Sequence, residues 1–312
     1  MGLAWLALVV SATAVQAAPL SPPSTPPPPP PPIVNGEETG DWPGVGVLVA
    51  LDPSSGSGGV FCSATLVDDT AVVTAAHCVD SAEQYSDWGY DTVFAVGPSV
   101  AEIVDYVEVE AWSVHPDYRF TSAEVFADIA VGFLSGPLGG GVEPVSFLSS
   151  ELGTGWYDED LVLVGYGITS DGAEDAGTKR TATLPVYTLY GDFVLAIDDD
   201  PSGSNACSGD SGGAALRQTS SGVQLAGVLS FVFAWHEASN CVGGGVGATR
   251  LDLFGPWLRN ELGGGGGGGL GGGESDSGSL GGEDPKGCSH LPAMIPLFVF
   301  PLLLLRRRPI AG

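Results

Sequence analysis

Basic side chains are scarce in this sequence of 312 residues, which has 10 Lys and Arg against 37 Asp and Glu. The formal charge of −27 creates a surface field that repels nucleic-acid phosphates and anionic lipid headgroups. Nucleic-acid binding is therefore excluded. Acidic surfaces serve solubility more often than they steer cationic substrates, so the charge alone defines no partner.

Long uninterrupted apolar runs are also missing. The apolar run over residues 3–10 is followed by Ser11, Thr13 and Gln16, and it falls short of the roughly 20 apolar residues that a permanent membrane span needs. With the small residues that follow, it instead predicts a secretory signal peptide over residues 1–17. We therefore expect a secreted protein.

Histidine is rare, and the sequence offers no metal-binding pattern. The histidines form no ligand-spaced cluster with the cysteines, so we expect no metal site and no cofactor. The four histidines are at positions 77, 115, 236 and 290.

The five cysteines are an odd number. In the oxidising environment of an exported protein, cysteines normally pair as disulfides. Cys62, Cys78, Cys207 and Cys241 lie in the middle of the chain, whereas Cys288 stands alone after a glycine tract. We expect two bridges and one special thiol, with the pairing left open by the spacing.

The central region, residues 33–262, has the pattern of an all-β protein. Short runs of Val, Leu, Ile, Phe and Tyr alternate with Gly, Asp, Asn and Ser, which is typical of strands and turns. Long amphipathic helices are absent from this pattern, apart from a terminal one around Leu253 to Leu262. An antiparallel barrel or sandwich follows. The predicted strands include Val45 to Leu51, Ala71 to Thr74, Val104 to Val114, Ile129 to Leu134, Leu161 to Val164, Thr181 to Thr188 and Val223 to Val232.

Low-complexity segments flank this region. The proline-rich residues 18–32 predict an extended polyproline spacer or pro-segment. Residues 263–287 are dominated by glycine and cannot bury apolar surface, so they predict a flexible linker. Residues 288–312 form a separate C-terminal segment that ends in an apolar stretch and three arginines.

Three short motifs carry the chemistry. The Gly-Asp-Ser-Gly-Gly run around Ser211 places a hydroxyl among backbone amides that could hold a developing oxyanion. His77 follows Thr-Ala-Ala, and Asp128 follows an alanine between the other two motifs. The order His, Asp, Ser differs from that of subtilisins and α/β-hydrolases. Three independent signals in this order indicate nucleophilic acyl transfer.

With these motifs, residues 33–262 resemble the trypsin/chymotrypsin family of serine peptidases. The resemblance implies an all-β fold of two six-stranded antiparallel barrels packed together, with a boundary near residue 147 and a short C-terminal helix. It also implies that Cys62 pairs with Cys78 and that Cys207 pairs with Cys241. Each such bridge typically contributes about 2 to 4 kcal/mol.

The resemblance assigns roles to the motif residues. Ser211 would attack the peptide carbonyl, His77 would transfer the proton, and Asp128 would orient the imidazole and stabilise its cation. The backbone amides of Gly209 and Ser211 would form the oxyanion hole.

The start of the domain, Ile-Val-Asn-Gly, is similar to the mature N-terminus of that family. By this match the freed ammonium of Ile33 would pair with Asp210, which makes the protein a zymogen. The preceding residue is Pro32, where the family usually has Arg or Lys. Either another peptidase trims the proline segment, or the domain works without an inserted terminus.

Specificity follows from matching the pocket residues. Asn205 falls where trypsin has an aspartate, so the main attraction for Arg or Lys is missing. Ser230, Phe231 and Val232 match a strand along the substrate, and Val232 takes a wall position where a glycine would leave space. We expect cleavage after small or medium apolar residues. The sequence does not decide whether Gly245 or Val246 lines the opposite wall of the pocket.

The C-terminal segment resembles the bacterial MYXO-CTERM and GlyGly-CTERM sorting signals. This implies Cys288 as the point of processing or modification, a sorting peptidase as partner, and attachment to the bacterial cell surface or outer membrane. Membrane contact is then expected only through the tail. The alternative is a short tail anchor with an idle thiol.

Two functions remain to be compared. The first is a serine endopeptidase, expected to be a monomer, that acts on protein or peptide substrates. The second is a catalytically silent module of the same fold that binds a protein partner. Because His77, Asp128 and Ser211 are all present, the endopeptidase is favoured.

Overall fold

The computed structural model describes the central region of the chain. The predicted signal peptide, the proline-rich segment, Cys288 and almost all of the predicted linker and tail lie outside the described residues. The described ranges are 33–121, 124–148, 151–157, 159–200, 202–220, 222–235, 241–263 and 298–300.

Strands dominate the described residues, and seven of them match the predicted strands to within about two residues at each end. They are β1 (Glu37–Glu38), β2 (Val45–Leu51), β3 (Gly58–Asp68), β4 (Ala71–Thr74), β5 (Asp91–Val96), β6 (Asp105–Val114), β7 (Arg119–Phe120), β8 (Val125–Phe126), β9 (Ala130–Leu134), β10 (Asp160–Gly165), β11 (Arg180–Tyr190), β12 (Phe193–Ile197), β13 (Ala214–Thr219), β14 (Gly222–Phe233), β15 (Gly245–Arg250) and β16 (Phe298–Phe300).

Twelve of these strands close into two antiparallel barrels. The first has the order β3-β2-β5-β6-β9-β4, and pairing of β4 with β3 closes it. The second has the order β11-β10-β13-β14-β15-β12, and pairing of β12 with β11 closes it. The prediction of two six-stranded barrels is confirmed.

The alternation of side chains explains why these segments form barrels. Along β11, Ala182, Leu184 and Val186 are buried while the residues between them are more exposed. Successive side chains of a strand point to opposite faces, so one set fills the barrel and the other faces outward. The first barrel ends at Leu134 and the second begins at Asp160, with the boundary predicted near residue 147 in the connection.

Two α-helices accompany the barrels. The helix α2 (Leu251–Gly263) is the predicted C-terminal helix, and this prediction is confirmed. The helix α1 (Ala76–Asp87) was not predicted, so the expectation of a single helix at the end of the domain is wrong. Its buried residues recur at helical spacing, but several are small and give a weak apolar pattern. This helix begins one residue before His77.

Two short strands extend the barrels. The strand β1 pairs with β11, and β16 pairs with β3. Among the described helices, none has the length and apolar character needed to cross a membrane.

Candidate active site

His77 and Asp128 form a tightly bonded pair between the barrels. His77 Nδ1 lies 2.8 Å from Asp128 Oδ2, and the other carboxylate oxygen accepts the backbone amide of His77 at 3.0 Å. The Asp128 side chain is fully buried, whereas 15% of the His77 side chain is exposed. These two hydrogen bonds to Asp128 hold the His77 imidazole in one orientation. They leave the other ring nitrogen, Nε2, pointing away from Asp128.

The second barrel supplies further contacts to Asp128. The Ser230 hydroxyl donates to Asp128 Oδ2 at 2.5 Å, and the Thr249 hydroxyl donates to the Asp128 backbone oxygen at 2.9 Å. Burial raises the pKa of Asp128, but the charge of His77 and the hydrogen bonds from His77 and Ser230 outweigh burial and hold the pKa below its usual value. Asp128 is therefore an ionised, fully bonded carboxylate. The sequence placed Ser230 along the substrate, and the structure places its hydroxyl on Asp128.

The loop that carries Ser211 lies against the strands that lead to His77. The Ser63 amide donates to the Ser211 backbone oxygen at 2.8 Å, and the Ser63 hydroxyl donates to the Gly209 oxygen at 2.9 Å. A Cβ atom at Gly212 would overlap Thr74 Oγ1, so only glycine permits this approach. Thr74 precedes His77 by three residues, so the Ser211 loop packs against the segment that leads to His77. No hydrogen bond joins the Ser211 hydroxyl to His77, although both are among the described residues. Such bonds are often long before substrate binds.

Two backbone amides beside Ser211 have no acceptor within the described chain. Neither the Gly209 amide nor the Ser211 amide donates to a described oxygen, whereas those of Asp210, Gly212 and Gly213 all do. Gly209 has a φ of +94°, a conformation that residues with a side chain rarely adopt. Both amides are thus available to an oxygen from outside, as the oxyanion-hole prediction requires.

Asp210 is a fully buried carboxyl next to the candidate nucleophile. It accepts hydrogen bonds from the amides of Gly167 at 2.7 Å and Cys207 at 2.9 Å. Burial raises its pKa to about 7, although these two amides and the charge of Arg180 act in the opposite direction. A further positive charge would therefore stabilise its ionised form.

The start of the domain lies in the second barrel close to this loop. The Ile33 side chain is fully buried, and Val34 exchanges backbone hydrogen bonds with Asn205 at 2.8 and 3.2 Å. The Arg180 guanidinium pairs with Glu38 at 2.9 Å, which holds β1 against β11. Val34 directly follows Ile33, the predicted partner of Asp210, and Asn205 lies five residues before Asp210 in the chain. This contact therefore holds the start of the domain against the segment that leads to Asp210.

Residues of the candidate substrate pocket lie on the neighbouring strands β14 and β15. Val232 pairs with Val246 across the two strands, and Gly245 instead pairs with Phe233. Cross-strand partners share a face of the sheet, so the side chains of Val232 and Val246 lie side by side. Val246 is buried in the core of the second barrel, and Val232 packs against that core. The rings of Phe231 and Phe233 fill the space above Gly247 and Gly245, where a Cβ would overlap them. Asn205 is fully buried.

Both expected disulfides are present. Cys62 and Cys78 are joined with a Cα separation of 6.1 Å, which ties β3 to the helix turn that follows His77. Cys207 and Cys241 are joined with a Cα separation of 5.0 Å, beside the candidate pocket. Within the described residues, the two groups with metal-ligand spacing each contain one of these bonded pairs. Their sulfur atoms are therefore already used.

Two contacts were missed by sequence reasoning. The Phe120 ring lies 4.8 Å from the His77 ring between centroids, although Phe120 is 44% exposed. The Asp192 carboxylate accepts the backbone amide of Ala127 at 3.0 Å, immediately before Asp128. No motif marks either residue, because each contact joins distant parts of the chain.

The His77–Asp128 pair, with the Ser211 loop packed against the segment that leads to His77, is the arrangement expected of a serine peptidase. The sequence model of the Trypsin family matches residues 33–258. Since this is more than half of the chain, the chain belongs to the trypsin family.

Similar proteins agree with this assignment at modest identity. Phenoloxidase-activating factor 3 of Holotrichia diomphalia is 29% identical over 230 residues, which cover 64% of this chain and 64% of that protein. A trypsin of Saccharopolyspora erythraea is 31% identical over 193 residues, covering 58% of this chain and 80% of the relative. A trypsin of Phaedon cochleariae is 26% identical over 217 residues, covering 64% of this chain and 78% of the relative. The family and these names support a serine endopeptidase as the enzyme class, as the motifs predicted.

Proposed function

We propose that this chain is an exported serine endopeptidase that hydrolyses peptide bonds through an acyl-enzyme on Ser211. The observation that carries the proposal is the His77–Asp128 pair, bonded at 2.8 Å, with the Ser211 loop packed against the segment that leads to His77. A buried, ionised carboxylate on Nδ1 favours a ring whose Nε2 can accept a proton. This is the property that activation of a serine hydroxyl requires.

The reaction would proceed in two halves. Ser211 Oγ would bond to the substrate carbonyl carbon while its proton passes to His77, and the oxyanion would accept hydrogen bonds from the Gly209 and Ser211 amides. His77 would then give the proton to the leaving amine as the peptide C–N bond breaks. Water would repeat the sequence on the ester, releasing the acid and restoring Ser211. Asp128 stays ionised and stabilises the imidazolium throughout.

The pocket supports a preference for small or medium apolar side chains at the residue before the cleaved bond. Val232 is half-buried at the proposed wall position, and its branched side chain would narrow the pocket there. The fully buried Asn205 brings no charge to attract Lys or Arg. Alanine and valine substrates should therefore be cleaved faster than arginine or phenylalanine substrates.

Activation would follow trimming of the proline-rich segment. The buried Asp210 carboxyl, with a pKa raised to about 7, would gain a counter-charge from a freed Ile33 ammonium. Since Pro32 precedes Ile33, the trimming peptidase would not be of trypsin type. N-terminal sequencing of the active form tests this step, and an active enzyme that retains the prolines would contradict it.

Export and surface attachment are proposed from the flanking sequence. The apolar start predicts a signal peptide, and the tail around Cys288 resembles a bacterial sorting signal. Processing by a sorting peptidase at this segment would leave the domain on the cell surface through a glycine-rich linker. Mass spectrometry of the mature C-terminus tests this, since an intact apolar tail would exclude processing.

The proposed activity is tested by labelling and cleavage together. A fluorophosphonate should label the mature protein on Ser211, and the same preparation should cleave peptides that carry alanine or valine before the scissile bond. Ser211→Ala should abolish both, whereas Ser208→Ala in the same loop should keep them. An unlabelled, inactive but folded protein would instead favour a protein-binding module.

A further inference from the structure

We propose that Asp192, on the second barrel, is a positioning residue for the carboxylate of Asp128. The inference rests on the proposed function, because it concerns how that site is kept in order. No motif marks Asp192, which lies on the turn between β11 and β12.

The backbone before Asp128 has a conformation that must be held in place. Ala127 has a φ of +47°, in the left-handed region where a Cβ atom is disfavoured. It is fully buried, and its carbonyl accepts the amide of Ile129 at 2.8 Å. Asp128 therefore lies at the centre of a tight turn. Without external support, an alanine here would relax to a negative φ and redirect the next side chain.

Asp192 provides this support across the barrel interface. Its carboxylate accepts the Ala127 amide at 3.0 Å, the one polar group of Ala127 that the turn itself leaves unbonded. The two residues are 65 positions apart in sequence. A buried amide without an acceptor is costly, so the left-handed turn and the Asp192 contact depend on each other.

The neighbouring strands β12 and β15 hold the other side of Asp128. Phe193, next to Asp192, pairs with Thr249 on β15, and the Thr249 hydroxyl donates to the Asp128 carbonyl at 2.9 Å. The Arg250 amide donates to the Asp192 carbonyl at 2.8 Å, which fixes the turn to β15. Hydrogen bonds from the second barrel thus fix the backbone on both sides of Asp128, although the segment that carries Asp128 belongs to the first barrel.

The predicted consequence is a specific loss of turnover. Displacing a reacting group by about 1 Å can cost 10²-fold in rate, so Asp192→Ala should lower kcat by about 10- to 100-fold. KM for an alanine peptide should change by less than about twofold, because within the described residues the hydrogen bonds of Asp192 go to Ala127 and Arg250 and to no residue of the candidate pocket. Rates are expressed per fluorophosphonate-reactive site, which removes any contribution from misfolded protein.

Matched variants separate positioning from charge and from stability. Asp192→Asn keeps an oxygen acceptor for the Ala127 amide, so it should retain kcat within about threefold. Asp105→Ala removes a carboxylate that binds the Gly139 amide at the far end of β6, and it should leave kcat unchanged. Equal losses in Asp192→Ala and Asp192→Asn would overturn the proposal, as would a normal kcat in Asp192→Ala.

A double variant tests the link to Ala127 and covers the case in which Asp192→Ala does not fold. Glycine adopts a positive φ without penalty, so Ala127→Gly makes the turn less dependent on Asp192. Adding Asp192→Ala in that background should cost clearly less in kcat than it does in the natural sequence. The same loss in both backgrounds would contradict action through Ala127. If the natural chain neither labels nor cleaves, the proposed function itself fails, whereas an active chain with a silent Asp192→Ala overturns only this inference.

Discussion

The two barrels share one architecture but make different contributions to the site. The first supplies His77 and Asp128, a hydrogen-bonded pair that is suited to moving a proton. The Cys62–Cys78 disulfide ties the helix that carries His77 to β3. The second supplies Ser211, the Gly209 and Ser211 amides without a described acceptor, and the strands of the proposed pocket. In the proposed mechanism, proton transfer and substrate binding are therefore placed on separate barrels, which must be held in register.

The register depends on contacts that cross between the barrels. Ser63 of the first barrel binds the Ser211 loop of the second, while Ser230 and Thr249 of the second bind Asp128 of the first. Each barrel thus fixes the functional group that the other one carries. Removing one such contact should affect turnover more than folding.

The largest effect should come from the acid of the first barrel. Asp128→Asn keeps the size of the side chain but loses the charge and favours the wrong imidazole tautomer, so kcat should fall by about 10⁴-fold. The matched control is Asp160→Asn, an exposed carboxylate on β10, which should leave kcat unchanged. Stopped assays on an alanine peptide measure both. A loss below tenfold would show that the proton relay does not need Asp128.

A smaller effect is expected in stability, from the buried acid of the second barrel. In the chain with an intact Pro32–Ile33 bond, the pKa of Asp210 is raised from 3.8 to about 7, so the folded state binds its proton more tightly than the unfolded state. The associated stability is present below about pH 4 and is lost as pH rises towards 7, amounting to about 4 kcal/mol. Urea unfolding at several pH values should show this loss.

The control is Asp210→Asn, whose unfolding should lack this component of the pH dependence. A trimmed chain with a free Ile33 ammonium should lack it too, because the carboxylate then has a partner. Identical pH profiles for the natural chain and Asp210→Asn would contradict the raised pKa.

The smallest effect concerns the pocket wall. Val232→Gly removes a branched side chain from the proposed pocket wall, so the preference for alanine over phenylalanine peptides should shift by about 10- to 100-fold towards phenylalanine. Val223→Gly, a similarly half-buried valine on the same strand but away from the pocket, is the matched control. Competition between the two peptides gives the ratio of kcat/KM. An unchanged ratio in Val232→Gly would remove Val232 from the pocket.

Local sequence patterns predicted much of this arrangement. The motifs around His77, Asp128 and Ser211 are short and self-contained, and the period-two pattern located the strands because it reflects burial on one face. The resemblance to a known family supplied the disulfide pairs and the two barrels. These features either depend on neighbouring residues or are shared by many related chains.

The features that were missed depend on long-range packing. The helix α1 has few large apolar residues, so its periodicity is weak. Asp192 and Phe120 reach the site only after folding, and their neighbours in sequence give no signal. The pairing that sets Val246 beside Val232 and Gly245 beside Phe233 also depends on the partner strand. The pairing register of a strand depends on its partner strand, which a local sequence pattern does not reveal.

A crystal structure of the mature protein after reaction with a fluorophosphonate would test most directly whether His77 and Asp128 of the first barrel act together with Ser211 of the second. We expect phosphorus bonded to Ser211 Oγ, with its oxygen within about 3.1 Å of the Gly209 and Ser211 amides and the His77 imidazole within hydrogen-bond reach of the adduct. An adduct on another residue, or a Ser211 adduct with the His77–Asp128 pair turned away from it, would contradict the assignment.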